Sequence, residues 1–329
     1  MVKKETVPKV TFADVWLSHT EKKWEKHWLK KVHDKVNWNK FRYRFEKLYS
    51  EGNGRPAWDP IVLFKCLLLA QWWGLSDRQL EEAVGDRFSF RKFLDLRWEE
   101  EAPDATTFCV FRERITEIMD KLLRIMEEQL KEVGFEIQKA VAVDATLIEA
   151  HSIPRGEEKG DGEATYRGFT EKLIVNDRME LTIARRPPLF GYKANVSVSV
   201  AQGFVGAVSV CAASEHDARH MEELLSEKTK KVYADKGYVG CKGLLRARGI
   251  ADYIQDKGVS RHPLTAAQIS RNKRISRVRY IVEGIFGSWK QWYGWRKTKY
   301  MGLVRNTLAV ILTALSWNMK KWAQLSSSA

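Results

Sequence analysis

The amino-acid sequence predicts an all-α N-terminal part followed by an α/β part, and three observations lead to this fold class. From about residue 20 to residue 134, apolar residues recur at the spacing of helices. Residues 139–254 contain short runs rich in β-branched residues, and residues 276–293 return to helical spacing. The 329 residues suit one large domain or two ordinary ones. We place the predicted boundary between residues 136 and 137.

The N-terminal part, residues 1–136, contains a helix pair with clear start and stop signals. Pro60 stands where a helix begins, and the apolar run that follows it ends at Gly74. Ser76 and Gln79 form a capping box that opens the next helix. Two helices joined in this way are compatible with a DNA-contacting helix-turn-helix, but any two packed helices give the same pattern. Both interpretations stay open, and we expect this part to serve in DNA binding or dimerisation.

The pattern changes near the predicted boundary. Thr106 or Thr107 is expected to cap a long amphipathic helix that ends at Gly134. Residues 139–148 then predict a strand, because β-branched and apolar residues dominate them. A polar, glycine-rich stretch follows, and we predict a flexible loop near residues 152–185.

Beyond residue 190 the sequence predicts a β-hairpin and then alternating helices and strands. These elements are hairpin strands over 192–200 and 204–210, a helix over 217–230, a strand over 231–234, a helix over 244–248, a strand over 251–254 and a helix over 276–293. Antiparallel early strands followed by parallel later ones, with helices on both faces, are the ribonuclease H-like layout of α/β folds. We therefore predict an α/β ribonuclease H-like catalytic domain over residues 137–325, preceded by an all-α N-terminal domain.

The charge distribution indicates a polyanionic partner. The formal net charge is +14, and residues 257–329 hold 14 Lys and Arg residues but a single carboxylate, Glu283. Such a surplus favours nucleic acid first and an anionic membrane second. The longest apolar run, residues 308–317, is too short to span a bilayer, so we expect no membrane partner.

Cysteine usage indicates a reducing compartment. Cys66, Cys109, Cys211 and Cys241 are scattered and form no CxxC pair. The spacing therefore suggests neither a zinc site nor a disulfide framework. Reduced thiols, together with a polar and charged N-terminus that carries no secretory signal, lead us to expect a cytoplasmic protein.

Three acidic residues occupy positions at which a carboxylate is unusual or is well placed to bind a ligand. Asp144 interrupts an apolar strand, Asp235 follows the strand over residues 231–234, and Glu283 lies within the last predicted helix. Phosphodiester chemistry at neutral pH needs charge stabilisation, and two Mg²⁺ ions held by carboxylate oxygens provide it. The sequence thus offers a suitable set of ligands for such ions.

Each of these acids also has an ordinary interpretation. Asp144 could be a structural residue bonded to backbone amides, and Asp235 could cap a turn. Glu283 could simply form an ion pair with Arg279, one helical turn away. Taken singly, the three residues leave these alternatives open.

Several longer motifs carry a family resemblance when they are taken together and in order. They are VDATLIEAHS around Asp144, GYKANVSV from Gly191, SEHDARHMEELL from Ser214, VYADKGYVG around Asp235, RVRYIVEGIFGSWKQWYGWRKTKYMGL around Glu283, and the N-terminal GNGRPAWDPIVLFKCLLLAQWWGLSDRQLEEAV. The chain resembles bacterial insertion-sequence transposases of the DDE type, in the family of insertion sequence five within the wider four/five superfamily. The resemblance runs from about Phe12 to Trp317.

The resemblance implies roles for the acids and for two basic residues of the same helix. Asp144, Asp235 and Glu283 would be the catalytic residues that hold two Mg²⁺ ions, for which Mn²⁺ can substitute. Members of the superfamily carry a Tyr-Arg-Glu-Lys signature on the glutamate helix, and Arg279 and Lys290 match its basic positions. The tyrosine position of the signature is Ser276 here.

Further residues are expected to contact DNA. Arg279 and Lys290 would hold phosphates near the cleaved end, and Lys193 and Lys236 are weaker candidates. Trp292 and its basic neighbours form a cluster that suits phosphates and an unpaired base, the neighbours being Arg296, Lys297 and Lys299. Core packing is the alternative for Trp292.

The implied function is a DNA transposase in the bacterial cytoplasm, associated with the nucleoid. It would bind the terminal inverted repeats of its insertion sequence as a homodimer or higher homo-oligomer, cleave the ends, and join the 3′-hydroxyl ends to target DNA. Two alternatives remain. One is a catalytically silent or domesticated DNA-binding protein, and the other is a two-metal DNA endonuclease without strand transfer.

Overall fold

The computed structural model describes residues 20–49, 57–154, 160–168, 170–175, 181–186, 188–259 and 262–325. The helices are α1 (Trp28–Lys35), α2 (Trp38–Glu46), α3 (Pro60–Trp73), α4 (Asp77–Asp86), α5 (Phe88–Leu94), α6 (Ala105–Ile115), α7 (Met119–Glu132), α8 (Lys242–Ala247), α9 (Ala266–Trp292) and α10 (Leu303–Leu325). The strands are β1 (Ala140–Glu149), β2 (Thr165–Arg167), β3 (Thr170–Val175), β4 (Leu181–Arg186), β5 (Leu189–Ser199), β6 (Val205–Ala212), β7 (Lys231–Ala234) and β8 (Ala251–Ile254).

The predicted helix pair at residues 60–86 is confirmed, including its termini. Asp59 caps α3 by accepting a hydrogen bond from the Ile61 amide at 2.8 Å. Gly74 ends α3 with φ of 65°, a left-handed conformation that glycine adopts without strain. The predicted capping box of α4 is present. Most residues of α3 are buried, so this helix is a core element, and only α4 offers a solvent-facing side.

The single long helix expected up to Gly134 is wrong, because a 3₁₀ turn at Thr116–Ile118 separates α6 from α7. The Thr116 hydroxyl donates to the carbonyl of Glu113 at 2.6 Å, a local bond that competes with regular helix geometry. The cap is Asp104 rather than either predicted threonine. Gly134 does end the segment, with φ of 89°.

The strands of the α/β part form one mixed sheet and one separate hairpin. In the sheet the order is β6, β5, β1, β7, β8, and β2 also pairs with β5 beyond the end of β6. The pairs β1–β5 and β5–β6 are antiparallel, whereas β1–β7 and β7–β8 are parallel. The predicted change from antiparallel to parallel pairing is therefore confirmed.

The region predicted as a flexible loop near residues 152–185 contains regular structure among its described residues. β2 lies at the end of the sheet, and β3 and β4 pair as an antiparallel hairpin. The polar, glycine-rich residues of this stretch give no regular apolar pattern, so the sequence did not reveal these strands.

The helix predicted over residues 217–230 is also wrong, because only 3₁₀ turns form there, at Asp217–His220 and Glu222–Leu224. Side chains of this segment bond back to the sheet instead of lying along a helix. Lys193 on β5 lies 2.5 Å from Asp217, and Ser209 on β6 lies 3.1 Å from His220. These long-range contacts override the local helical pattern.

Alternation along β1 sorts its side chains onto two faces of the sheet. Ala142 and Ile148 belong to a large apolar core that includes residues of α9 and α10. Val141 and Val143 belong to a smaller core on the opposite face, together with Tyr238. The even-numbered residues of β1 therefore face α9, and Asp144 is one of them.

The C-terminal helix α10 joins the two predicted domains. It packs against α1, α3 and α7 of the N-terminal part and against β6 of the sheet. The indole of Trp72 donates to the carbonyl of Ser316 at 2.8 Å, and the Thr313 hydroxyl bonds to Gln71 at 3.0 Å. The large apolar core is thus continuous across the predicted boundary. Within the described residues, no helix has the length and apolar character needed to cross a membrane.

Asn318 on α10 supports the first residue of β6. Its side chain accepts from the Val205 amide at 2.8 Å and donates to the Val205 carbonyl at 2.7 Å, and Asn318 is buried. Replacing Asn318 by Leu leaves both buried backbone groups without partners, so we expect unfolding to cost about 2–4 kcal/mol less. Denaturant unfolding measures the change. Gln324→Leu on the exposed end of α10 is the control, and equal stability of the two variants would contradict this role.

Candidate active site

Asp144 is held on the α9-facing side of β1 by a cation and a backbone amide. Arg279 Nη2 donates to Asp144 Oδ2 at 2.6 Å, and the Ala145 amide donates to Oδ1 at 2.9 Å. Burial raises the pKa of the Asp144 carboxyl; Arg279 and the amide oppose this, and the charge of Asp235 adds to it. The side chain retains 17% exposure, so its carboxylate is both shielded and accessible.

Arg279 links two of the predicted catalytic acids. Besides its bond to Asp144, Nη2 lies 3.7 Å from Glu283 Oε1, and the Arg279 side chain is buried. Arg279 therefore does form the ion pair with Glu283 that the sequence suggested, but this contact is longer than the one between Arg279 and Asp144. Because one guanidinium faces both carboxylates, it lowers the cost of keeping them close together.

Gln255 contacts Arg279, and Ser276 contacts Gln255 in turn. The sequence did not reveal either contact. Gln255 follows β8 directly, and its Oε1 lies 3.4 Å from Arg279 Nη1. Its Nε2 donates to the Ser276 hydroxyl at 2.7 Å. Ser276 therefore positions Gln255. One feature could have pointed to Gln255 as a site residue. Like Asp235, it directly follows a strand of the parallel part of the sheet.

Asp235 forms the turn cap that the sequence offered as its ordinary interpretation. It follows β7, the parallel neighbour of β1, and it caps the 3₁₀ turn Lys236–Cys241 by accepting from the Gly237 amide at 2.7 Å. A Cβ on Gly237 would lie 2.9 Å from Asp235 Oδ1, so a side chain there would displace the carboxylate. The cap therefore fixes the position of the Asp235 carboxylate, whose charge contributes to the raised pKa of Asp144.

Glu283 lies on α9, which packs across β1 and β7, and 53% of its side chain is exposed. The carboxylate oxygens of Asp144, Asp235 and Glu283 do not form a set within 4.8 Å of one another. The three acids therefore surround a space wider than one ion bound by all three would need. Tyr238 is fully buried in the smaller core on the opposite face of the sheet. Burial, followed by the charges of Asp217, Asp144 and Asp235, raises the pKa of its hydroxyl.

Two of the predicted DNA contacts lie beside the far end of β1. The Glu149 amide donates to the Arg296 carbonyl at 3.2 Å, and the Thr298 amide donates to the Glu149 carbonyl at 2.7 Å. These bonds continue the sheet and leave the side chains of Arg296 and Lys297 exposed. Lys236 next to Asp235 is exposed as well, and so is Trp292 at 66%.

Two other predicted contacts point into the protein instead. Lys193 is buried and paired with Asp217 at 2.5 Å, so it does not face solvent. Lys299 donates to the Leu75 carbonyl at 3.2 Å, and burial lowers its pKa to about 8. Lys290 is half-buried, and burial lowers its pKa too. The number of charges along the sequence could not distinguish Lys193 and Lys299 from exposed lysines. Lys299 contacts Leu75 of the N-terminal part, and Lys193 contacts Asp217, so residues distant in sequence determine their burial.

Replacing Lys299 by Met is expected to raise the free energy of unfolding by about 1–3 kcal/mol at pH 7. The folded pKa of Lys299 is about 8, below the ordinary value of about 10.4 for lysine. The cost of burying the charged amine is thus fully present below pH 8 and disappears as pH rises through the unfolded pKa. Denaturant unfolding at several pH values measures the gain, which should shrink above pH 8. The exposed Lys297→Met is the control, and a pH-independent difference between the two variants would contradict the assignment.

Two family models match the chain. Residues 18–114 match the family described as Transposase domain (DUF772), and residues 137–319 match the Transposase DDE domain. The second match covers more than half of the chain and contains Asp144, Asp235, Glu283 and Arg279. Such domains act on DNA and generally use divalent metal ions, and the pair of matches supports a transposase of an insertion sequence. The chain therefore belongs to the Transposase DDE domain family and is a DDE transposase.

Proposed function

We propose that this protein is a transposase of the insertion sequence five family, which cleaves the terminal inverted repeats of its own element and joins their 3′-hydroxyl ends to target DNA. The observation that carries the proposal is that Arg279 contacts Asp144 at 2.6 Å and Glu283 at 3.7 Å, while the charge of Asp235 acts on Asp144. An acid inside a strand, an acid after the neighbouring parallel strand and an acid on the covering helix meet at one edge of the sheet. Matching family motifs add to this observation.

The strand order supports a ribonuclease H-like catalytic domain over residues 137–325, with residues 1–136 as the DNA-binding or dimerisation domain. Three consecutive antiparallel strands, with β1 at the centre of the sheet, are followed by two parallel strands on the other side of β1. Asp144 lies in the central strand, and Asp235 follows its parallel neighbour. Ligands bind at such carboxyl edges of parallel strands because loops and strand ends meet there.

The residues at this edge suit two Mg²⁺ ions. Carboxylate oxygens are the hard ligands that Mg²⁺ prefers. Asp144, Asp235 and Glu283 would hold the ions. When bound, the ions supply charge stabilisation and activation of the attacking and leaving oxygens.

The side chains of the protein perform the remaining tasks. Arg279, which is buried, holds the carboxylates of Asp144 and Glu283 in place. Lys236 next to Asp235, and Arg296 and Lys297 beside the far end of β1, are exposed and suited to bind the DNA backbone. Exposed Trp292 is suited to stack on an unpaired base at a strand end. Lys290 can add a partly shielded charge from the same helix.

A strand-transfer assay tests this proposal. Linear DNA ending in the terminal repeats of the element is incubated with the full chain, Mg²⁺ and a labelled circular target. Joined products support transposition, whereas cleavage without joining supports the endonuclease, and binding without cleavage supports a silent DNA-binding protein. Simultaneous capture of two differently labelled ends would support the proposed homodimer or higher oligomer, because one active site acts on one end at a time.

A further inference from the structure

A second group of ligand-type side chains lies on the opposite face of the sheet from Asp144. Cys211 on β6, Glu215 in the loop that follows and His220 on the next 3₁₀ turn place one ligand atom each within 4.8 Å of the others. Cys211 opposes Lys193 on β5, and Lys193 opposes Leu147, an odd-numbered residue of β1. Since odd-numbered residues of β1 point away from α9, this group is separate from the carboxylate site.

His220 is oriented as metal-binding histidines are. Its Nδ1 lies 3.1 Å from the Ser209 hydroxyl and 3.4 Å from Glu223 Oε1. Its Nε2 is buried, has no hydrogen-bond partner among the described residues, and lies 3.4 Å from Glu215 Oε2. Metal-ligating histidines commonly donate their second ring N–H to a carboxylate or another acceptor, which fixes the ring. Here Ser209 and Glu223 hold one nitrogen and leave the other facing Glu215.

The electrostatics of this group favour a cation. The nearby amine of Lys193 is paired with Asp217 at 2.5 Å, which reduces its repulsion of a positive ion. Glu215 and Glu223 leave the group with excess negative charge.

We propose that Cys211, Glu215 and His220 bind one Zn²⁺ ion per chain. A thiolate, an imidazole and a carboxylate match Zn²⁺, whereas Mg²⁺ prefers oxygen ligands alone. The ion would tie residues 213–225, where 3₁₀ turns replace the expected helix, to the end of β6. This segment leads to β7 and Asp235, so the site would be a structural support for the strand that carries a catalytic acid.

Cobalt spectroscopy on the full chain tests the proposal directly. The metal-free protein is titrated with Co²⁺ in the presence of excess Mg²⁺, which occupies the carboxylate site. One equivalent should produce a thiolate-to-cobalt charge-transfer band, which carboxylates cannot give, and Zn²⁺ should displace it. Absence of this band in the wild-type chain would overturn the proposal whether or not any variant folds.

Paired variants locate the ligands. Cys211→Ser should abolish the band, and His220→Gln should weaken Zn²⁺ binding by more than the about 10- to 100-fold that loss of an outer partner causes. The controls are Cys109→Ser and His216→Gln, both at exposed positions, and they should bind Zn²⁺ as the wild type does. Zn²⁺ should also raise the thermal midpoint of the wild type and of the controls only. A band that persists in Cys211→Ser, or equal affinity in His220→Gln and His216→Gln, would contradict the assigned ligands.

Discussion

Replacing Asp144 by Asn is expected to reduce Mg²⁺-dependent cleavage of the element ends about a thousandfold or more. Removing a charged ligand forfeits several kcal/mol of transition-state stabilisation, and about 4 kcal/mol corresponds to that factor. Asp235→Asn and Glu283→Gln should cause losses of similar size. Because each substitution keeps the shape of the side chain, binding of the uncut ends should change little. Single-turnover cleavage and gel-shift titration measure the two quantities.

Matched amide substitutions at exposed acids control for this experiment. Asp120→Asn and Glu128→Gln lie on the solvent side of α7, and both should cleave as the wild type does. A wild-type cleavage rate in Asp144→Asn, Asp235→Asn or Glu283→Gln would remove that residue from the catalytic set. Loss of end binding in parallel with cleavage would indicate damage to the fold instead, which circular dichroism and thermal unfolding would reveal.

Binding of the element ends is expected to weaken steeply with salt. A protein that makes 6–10 phosphate contacts loses about 10³- to 10⁵-fold in affinity between about 50 and 200 mM salt, because bound DNA has released its counterions. The 14 basic residues after residue 256, accompanied by one acid, predict a response in this range. Fluorescence anisotropy at several salt concentrations measures the slope, and a flat response would contradict an electrostatic role of this region.

The structure allows this prediction to be made for individual residues. Arg296 and Lys297 are exposed beside the end of β1, so replacing both by Gln should reduce the salt slope by roughly two, at about 0.9 for each phosphate contact. Lys121→Gln with Arg124→Gln on exposed positions of α7 is the control of equal charge. An equal reduction of the slope in both double variants would indicate a general charge effect rather than contacts near the active site.

The sequence by itself determined much of the secondary structure and the positions of the acids. The runs at 139–148 and 231–234 predict strands because β-branched residues suit a pleated, covered surface, and that property is local. Asp144 and Asp235 stand out against those runs. Glu283 stands out as the single acid in a basic region, and the family motifs connect the three. The helix pair around Gly74 was predicted with its caps for the same local reason.

Only the tertiary structure decided which charges meet and which are covered. Arg279 and Asp144 are 135 positions apart in the sequence but form a hydrogen bond. Gln255 contacts Arg279 as well, because β8 ends beside α9. Lys193 and Lys299 were predicted to contact DNA, but contacts with Asp217 and Leu75 turn them inward. Burial and pairing depend on the distant element that covers a residue, and periodicity along the chain does not specify that element. The same reason explains why four scattered cysteines gave no sign of the cluster that Cys211 forms with Glu215 and His220.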